Sequence, residues 1–148
     1  MPVNKTYEKY IHEILDEVQK LEDRDERIAY LKKEGNTFAI KSLLQLAYND
    51  KITFDLPKGK PPFTPCPEGR EPMSVNKAFR GLSKFCPGSK LNRLKKEQDF
   101  IRLLEVITPT DADLLCAAKD GTLVRVNNKA YSKITKSLVE ATFPNLLK

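Results

Sequence analysis

The sequence predicts an all-α fold: a compact bundle of about seven helices in one domain spanning residues 1–148, interrupted by a proline-rich extended segment. Three observations support this. Apolar residues recur at helical spacing in segment after segment, as in helices that bury one face. Cap residues and glycine or proline stops punctuate those segments. The only strand-like stretch is Thr122 to Val126.

From Tyr7 to Leu21, the residues Tyr7, Tyr10, Ile11, Ile14, Leu15, Val18 and Leu21 form one apolar stripe, with Glu8, Lys9, Asp16 and Glu17 around it. A second helix begins after Asp23 or Asp25, either of which can cap it. It runs through Ile28 and Leu31 to Gly35, where a left-handed residue is expected. Asn36 is the expected cap of a third helix, Thr37 to Asn49, whose apolar residues are Phe38, Ile40, Leu43, Leu44, Leu46 and Ala47.

The middle of the chain changes character. Residues 57–72 (PKGKPPFTPCPEGREP) hold six prolines and two glycines. Proline lacks an amide proton and fixes φ, so neither a helix nor a central strand can cross this run. An extended stretch is expected, pinned to the body by Phe54, Leu56 or Phe63. Long irregular segments in domains are either functional or mobile, and both options stand.

Beyond it, Ser74 is expected to cap a short helix through Ala78, Phe79 and Leu82, closing before Pro87-Gly88. Lys90 to Ile107 reads as the longest helix, with Leu91, Leu94, Ile101, Leu104 and Ile107 inward and Arg93, Lys95, Lys96 and Arg102 outward. Thr108-Pro109-Thr110-Asp111 offers a capping hydroxyl, a proline at the first position and an acid three residues on. The helix it opens covers Ala112, Leu115 and Ala118 and stops near Gly121. Thr135 caps a last helix with Leu138, Val139 and Phe143, ended by Pro144.

Composition narrows the function classes. A chain 40% hydrophobic and 31% charged is globular rather than disordered, and its length suffices for a core without metals or disulfides. No apolar run reaches the roughly 20 residues a bilayer span needs, and the amino terminus lacks a signal-peptide pattern. The expectation is a protein that makes no membrane contact and acts in the compartment where it is made. Cys66, Cys86 and Cys116 lie far apart with no C-x-x-C pair, and His12 is the single histidine. Reduced thiols and no metal follow from that spacing.

No constellation points to catalysis. His12 sits among acidic residues with no serine or cysteine partner nearby in sequence, which suits an exposed or edge position. Pro57-Lys58-Gly59-Lys60 lacks the glycine spacing of a phosphate-binding loop. Lys119-Asp120-Gly121 is one residue short of the K-x-D-G of nucleotidyl transferases and reads as a helix C-terminus. No catalytic residue and no cofactor are expected.

What remains is charge. Of the formal net +6, residues 1–50 contribute −2, residues 51–102 contribute +7 and residues 103–148 contribute +1. A basic surface of this kind suits phosphate backbones or an acidic protein partner, and it is also how the solvated face of a moderately basic protein looks. The candidate nucleic-acid-binding residues are Lys77, Arg80, Lys84, Lys90, Arg93, Lys95, Lys96 and Arg102, with Lys129, Lys133 and Lys136 nearer the C-terminus. Few aromatics are interleaved among them, so duplex backbone contact is favoured over base stacking. The candidate partner-binding residues are Pro61, Pro62, Phe63 and Pro65, in an extended segment that can lie in a partner's groove at low entropic cost.

Two resemblances add to this. Leu56 to Pro65 (LPKGKPPFTP) and the ending Phe143-Pro144-Asn145-Leu146 resemble a family of small proteins from tailed phages of the T-even and cyanophage type, over nearly the whole chain. That resemblance implies the host cytoplasm and brings no activity with it. More distantly, Ile14-Leu15-Asp16-Glu17-Val18, the DRDERIAYLKK run, Leu46-Ala47-Tyr48 and the stretch from Thr135 to Leu146 resemble the helical N-terminal DNA-binding domain of phage ATP-dependent DNA ligases. This second resemblance implies a grip on duplex DNA. Val126 to Ala130 lacks the glycine of the ligase backbone-contacting loop, and residues 1–148 hold no nucleotidyl-transferase domain, so binding without ligation is the expectation. The alternative partner is a host or phage protein, such as a polymerase or replication machine or a virion component.

Overall fold

In the computed structural model, α1 (Ile11–Lys20) turns Ile11, Ile14, Leu15 and Val18 into the core. The structure describes residues 10–67, 70–121, 123, 125, 126 and 129–147, with the side chains of 125, 126, 129 and 130 left aside. α1 starts later than the apolar stripe suggests because Tyr10 is extended, at φ −69° and ψ 155°. Tyr7 lies outside the described residues. α2 (Arg24–Glu34) is capped by Asp23, which accepts from the Glu26 amide, and it buries only Leu31. Its N-terminal approach is held by Arg27, whose guanidinium donates to the carbonyls of Leu21 and Glu22 at 2.8 and 2.9 Å.

Gly35 closes α2 at φ −90°, not in the left-handed conformation expected. Glycine is required there by proximity: a Cβ would lie 2.6 Å from both Cδ1 and the carbonyl oxygen of Leu31. Thr37, not Asn36, caps α3 (Phe38–Tyr48), accepting from the Ile40 amide. α3 is the central helix, burying Ala39, Ile40, Leu43, Leu44 and Leu46.

The proline-rich run has no regular secondary structure over its described residues, as expected, and Phe54, Leu56 and Phe63 all pack part-buried against the core. Ser74 caps α4 (Val75–Ala78), which tightens into a 3₁₀ segment, Phe79–Phe85, rather than continuing as an α-helix. Phe54, Phe85 and Phe100 form an aromatic cluster with ring centroids 5.4 to 6.2 Å apart. The cluster ties the connection after α3, the 3₁₀ segment and α5 together.

α5 (Arg93–Val106) begins after Asn92, which caps it, instead of at Lys90. Its inward stripe is Lys96, Phe100 and Leu104, continued by Ile107, each turn presenting one of them. Leu94 is therefore 64% exposed rather than inward, and Leu91 and Ile101 are only half-buried. α6 (Pro109–Asp120) packs between α1, α3 and α5 and ends at Gly121, left-handed at φ 75°. Arg125–Val126 and Lys129–Ala130 pair antiparallel as two-residue strands, and Thr135 caps α7 (Lys136–Thr142), which packs on α2. The fold is an all-α bundle, with seven α-helices among the described residues.

One expected local cap turns out to be a long-range bond. Asp111 stands at the third position of α6, where it was expected to cap its own helix with Thr108. Instead its fully buried carboxylate accepts from the Ile11 and His12 amides at 3.1 and 2.9 Å and from His12 Nδ1 at 2.9 Å. Asp111 thus caps α1 across the bundle, and Thr108 Oγ1 is buried without a hydrogen-bond partner. His12 is mostly buried, at an edge, rather than exposed. Burial alone would lower its pKa, but the Asp111 hydrogen bond and the charges of Asp111, Asp16 and Glu13 outweigh that and raise it above 6.5.

Asp111→Ala is expected to destabilise the fold by about 2–4 kcal/mol in urea unfolding, because it leaves two buried amides unpaired. The His12 contribution to stability is fully present below pH 6.5 and is lost as pH rises through the raised folded value. Unfolding midpoints measured from about pH 6 to about pH 8 should therefore fall more steeply for the wild type than for His12→Gln.

Candidate functional site

α5 and the 3₁₀ segment before it gather five of the eleven predicted basic residues around two carboxylates. Asp99 faces Lys95 one helical turn before it and Arg102 one turn after it, at 3.1 and 3.6 Å. Lys84 reaches it from the 3₁₀ segment at 3.6 Å. Hydrogen bonding from Lys95, aided by the nearby cations, holds the Asp99 carboxyl below the usual carboxylate range. Asp55, in the connection after α3, takes Lys96 at 3.1 Å and Arg93 at 3.7 Å. Lys84, Arg93, Lys95 and Arg102 remain exposed.

Lys96 does not belong to the outward face. Its side chain is 3% exposed, because the inward stripe of α5 passes through it and Asp55 neutralises its ammonium. Its role is structural. Lys77 and Arg80 are exposed on α4 and the 3₁₀ segment, and Lys90 is exposed just before α5.

Lys133 and Lys136 fall in a different neighbourhood. The Lys133 ammonium lies 3.5 Å from the Leu21 carbonyl, and its amide donates to Gln19 Oε1, so it stitches the C-terminal segment to the α1–α2 connection. Lys136 is exposed at the start of α7, beside α2. The Lys129 side chain, and Asn127 and Asn128 in the loop compared with ligases, lie outside the described residues.

The proline-rich run is strapped across α5 and α6. Lys119, with its side chain 3% exposed, donates to the carbonyls of Pro57 and Gly59 at 2.7 and 3.2 Å, and Asp120 accepts the Gly59 amide at 2.8 Å. Lys60 pairs with Asp113 at 2.8 Å, the Thr64 amide donates to Glu105, and Cys66 Sγ lies 3.0 Å from the Ile107 carbonyl. Pro61 and Phe63 are half-buried, whereas Pro62 and Pro65 are exposed. Pro57, Pro61 and Pro62 overhang a largely apolar cleft of about 370 Å³ floored by Phe100 and Ile101. Lys119-Asp120-Gly121 is a helix C-terminus as expected, and it is also the clasp of the strap.

Other reactive groups are quiet. Burial pushes the Cys116 thiol up to about 11 and also raises Cys66 and Cys86, so all three are thiols at neutral pH. Among the described residues, no three His, Cys, Asp or Glu side chains converge to hold a metal ion, and no helix is long and apolar enough to cross a membrane.

Asp99 was legible in the sequence from its spacing to Lys95 and Arg102. Asp55 and Lys119 carried no signal, since each acts on residues brought close only by folding. Together these features describe an all-α domain with one basic face and a clamped proline strap. The chain belongs to a family of unknown function, DUF6433, whose profile matches residues 14–125, from α1 to the first short strand. No curated protein and no solved structure matches it.

Two measurements check this partition. Lys96→Ala is expected to cost about 1–2 kcal/mol of stability, whereas Arg102→Ala stays within about 0.5 kcal/mol. Lys119→Ala should loosen the strap locally, so tryptic cleavage after Lys58 should run about tenfold faster or more with little change in overall melting.

Proposed function

We propose that the protein is a non-catalytic accessory protein that binds duplex DNA through the face formed by Lys84, Arg93, Lys95 and Arg102, with Lys90 beside them. The observation that carries this reading is the charge imbalance: with buried Lys96 set against Asp55, four exposed cations, Lys84, Arg93, Lys95 and Arg102, are left to share Asp99 and the other oxygen of Asp55. A network serving stability alone would gain from balanced charge. The first turn of α5 sharpens the point, since it holds Arg93, Lys95 and Lys96 and no acid. Cations there oppose the helix dipole at a cost of about 0.3–1 kcal/mol each. Such a cost is expected where a surface serves an anionic ligand.

The mechanism is phosphate contact. Arg93 and Arg102 can engage phosphate oxygens bidentately, Lys84 and Lys95 as point charges, and the amides at the α5 N-terminus add positive potential. Contacts of this kind to phosphate carry no base information, so sequence-independent binding is expected. The resemblance to the DNA-gripping domain of phage ligases supports the same reading, with a tailed-phage accessory protein working in the host cytoplasm. A second reading, docking on a host or phage protein such as a polymerase, draws on the exposed Pro62 and Pro65 held out on a clamped strap. A pre-organised extended segment loses little entropy on binding.

Fluorescence anisotropy on labelled duplex DNA at several salt concentrations tests the first reading. Four phosphate contacts predict a log–log slope of about −3 to −4. Arg93→Glu, Lys95→Glu and Arg102→Glu together should abolish binding with helicity by circular dichroism unchanged. A wild-type protein that ignores duplex DNA even in low salt sinks the reading.

A further inference from the structure

Opposite edges of one groove are formed by α3 and the 3₁₀ segment, and neither edge carries an acid. Residues 38–48 contain Lys41 and no Asp or Glu, and residues 75–86 contain Lys77, Arg80 and Lys84 and no Asp or Glu. The groove between them measures about 320 Å³ and is floored by Leu46, Ile52, Phe79 and Leu82. Its one charged lining side chain is Arg80. One end is tied by the Ala39 amide donating to Asn76 Oδ1 at 2.8 Å, which fixes the spacing of the two walls.

Phe38 stands at the rim, 53% exposed. It is the first residue of α3, directly after the Thr37 cap. Leu94 is the other large apolar side chain left exposed among the described residues, and it lies on α5 away from this groove.

We infer that the α3–3₁₀ groove is a docking site for an acidic peptide segment of another protein, one that seats a single large apolar side chain between Phe38 and Leu82 and pairs a carboxylate with Arg80. The volume falls in the usual range for ligand clefts, about 300–1,000 Å³, and suits one or two bulky side chains. An apolar anchor supplies the affinity, because it buries the groove floor and the exposed ring of Phe38 together. Charge supplies the selection: Arg80 is the charged side chain of the groove, Lys77 is exposed on the same wall, and no acid lines the groove, so a basic segment is rejected and one rich in Asp and Glu is favoured. Arg80 thereby leaves the phosphate-binding set and joins a separate surface, so this inference does not depend on DNA binding by α5.

Panning a displayed library of random dodecapeptides against the full chain tests it, followed by anisotropy with the selected peptide. The expected consensus is one aromatic or long aliphatic residue flanked by several Asp or Glu. Affinity should fall about tenfold or more in both Arg80→Glu and Phe38→Ser, and should be unchanged in Leu94→Ser, an equally exposed apolar control. Both substituted side chains are on the surface, and unaltered circular dichroism would confirm folding. The inference is overturned by the absence of a consensus, by a basic or purely apolar one, or by a peptide that tolerates Arg80→Glu or Phe38→Ser. An acidic peptide displaced by Arg93→Glu but not by Arg80→Glu would belong to the α5 face, and this too overturns it.

Discussion

Asp111 joins the beginning and the end of the bundle. Its carboxylate is wholly buried, stands in the first turn of α6 and accepts the first amides of α1, a hundred residues away in the chain. A buried carboxylate is costly unless its oxygens are hydrogen-bonded, and these are. The position also places a negative charge near the positive ends of two helix dipoles at once. With α1 seated, the segment after the short hairpin gains its anchors: the Tyr131 hydroxyl donates to Asp16 at 2.8 Å, and the Lys133 amide donates to Gln19. α7 then packs on α2, and Tyr48 of α3 donates to the Ile134 carbonyl at 2.6 Å. The first and last thirds of the chain are held as one body by these few polar bonds over a shared apolar core.

The middle third is attached by a different device. α5 is fixed from within by Phe100, Leu104 and the pairing of Lys96 with Asp55, and from outside by the proline strap. Lys119 and Asp120 hold one end of that strap, and the Cys66 thiol on the Ile107 carbonyl and the Met73 amide on the Val106 carbonyl hold the other. Proline stiffens the strap and glycine makes its turn possible, since Gly59 takes φ 91° where its amide meets Asp120. The basic residues of α5 therefore project from a helix clamped on two sides. Fixed charges lose less entropy on meeting a ligand than charges on a mobile segment.

The helices were legible in the sequence because their causes are local. Asp23, Ser74, Thr135 and the Pro109 start announce themselves within a turn of the helix they open. The errors have two sources, a long-range contact that overrides a local rule and a misjudged helical phase. Asp111 fits the pattern of an acid closing its own cap, yet α1 takes it. Lys96 sits among outward-looking cations by composition, yet helical phase places it in line with Phe100 and Leu104, and that phase could have been read. Leu94 drops out of the core by the same phase. The strap's clasp could not have been read, because Lys119 bonds to main-chain carbonyls, which carry no side-chain signature. Charge asymmetry singled out residues 51–102, but it could not separate the Asp99 cluster from the groove beside Arg80.

The two proposed surfaces of like charge on so small a domain differ in kind. Around Asp99 the exposed cations are splayed along α5, with Leu94 the one large apolar side chain exposed among them, which suits an extended polyanion met mainly by its charges. Beside Arg80 one cation stands over an apolar floor with an exposed ring at the rim, which suits a partner that buries a side chain. Salt would separate the two modes. Phosphate contacts on α5, as proposed, would depend on counterion release and weaken steeply with ionic strength, whereas burial of an apolar anchor would not. At low salt a sufficiently acidic peptide and DNA would compete for α5, and rising salt would confine the peptide to the groove. The proposed division of labour would rest on Asp55 and Asp99, which hold part of the α5 charge and Lys84 of the 3₁₀ segment but do not pair with Arg80.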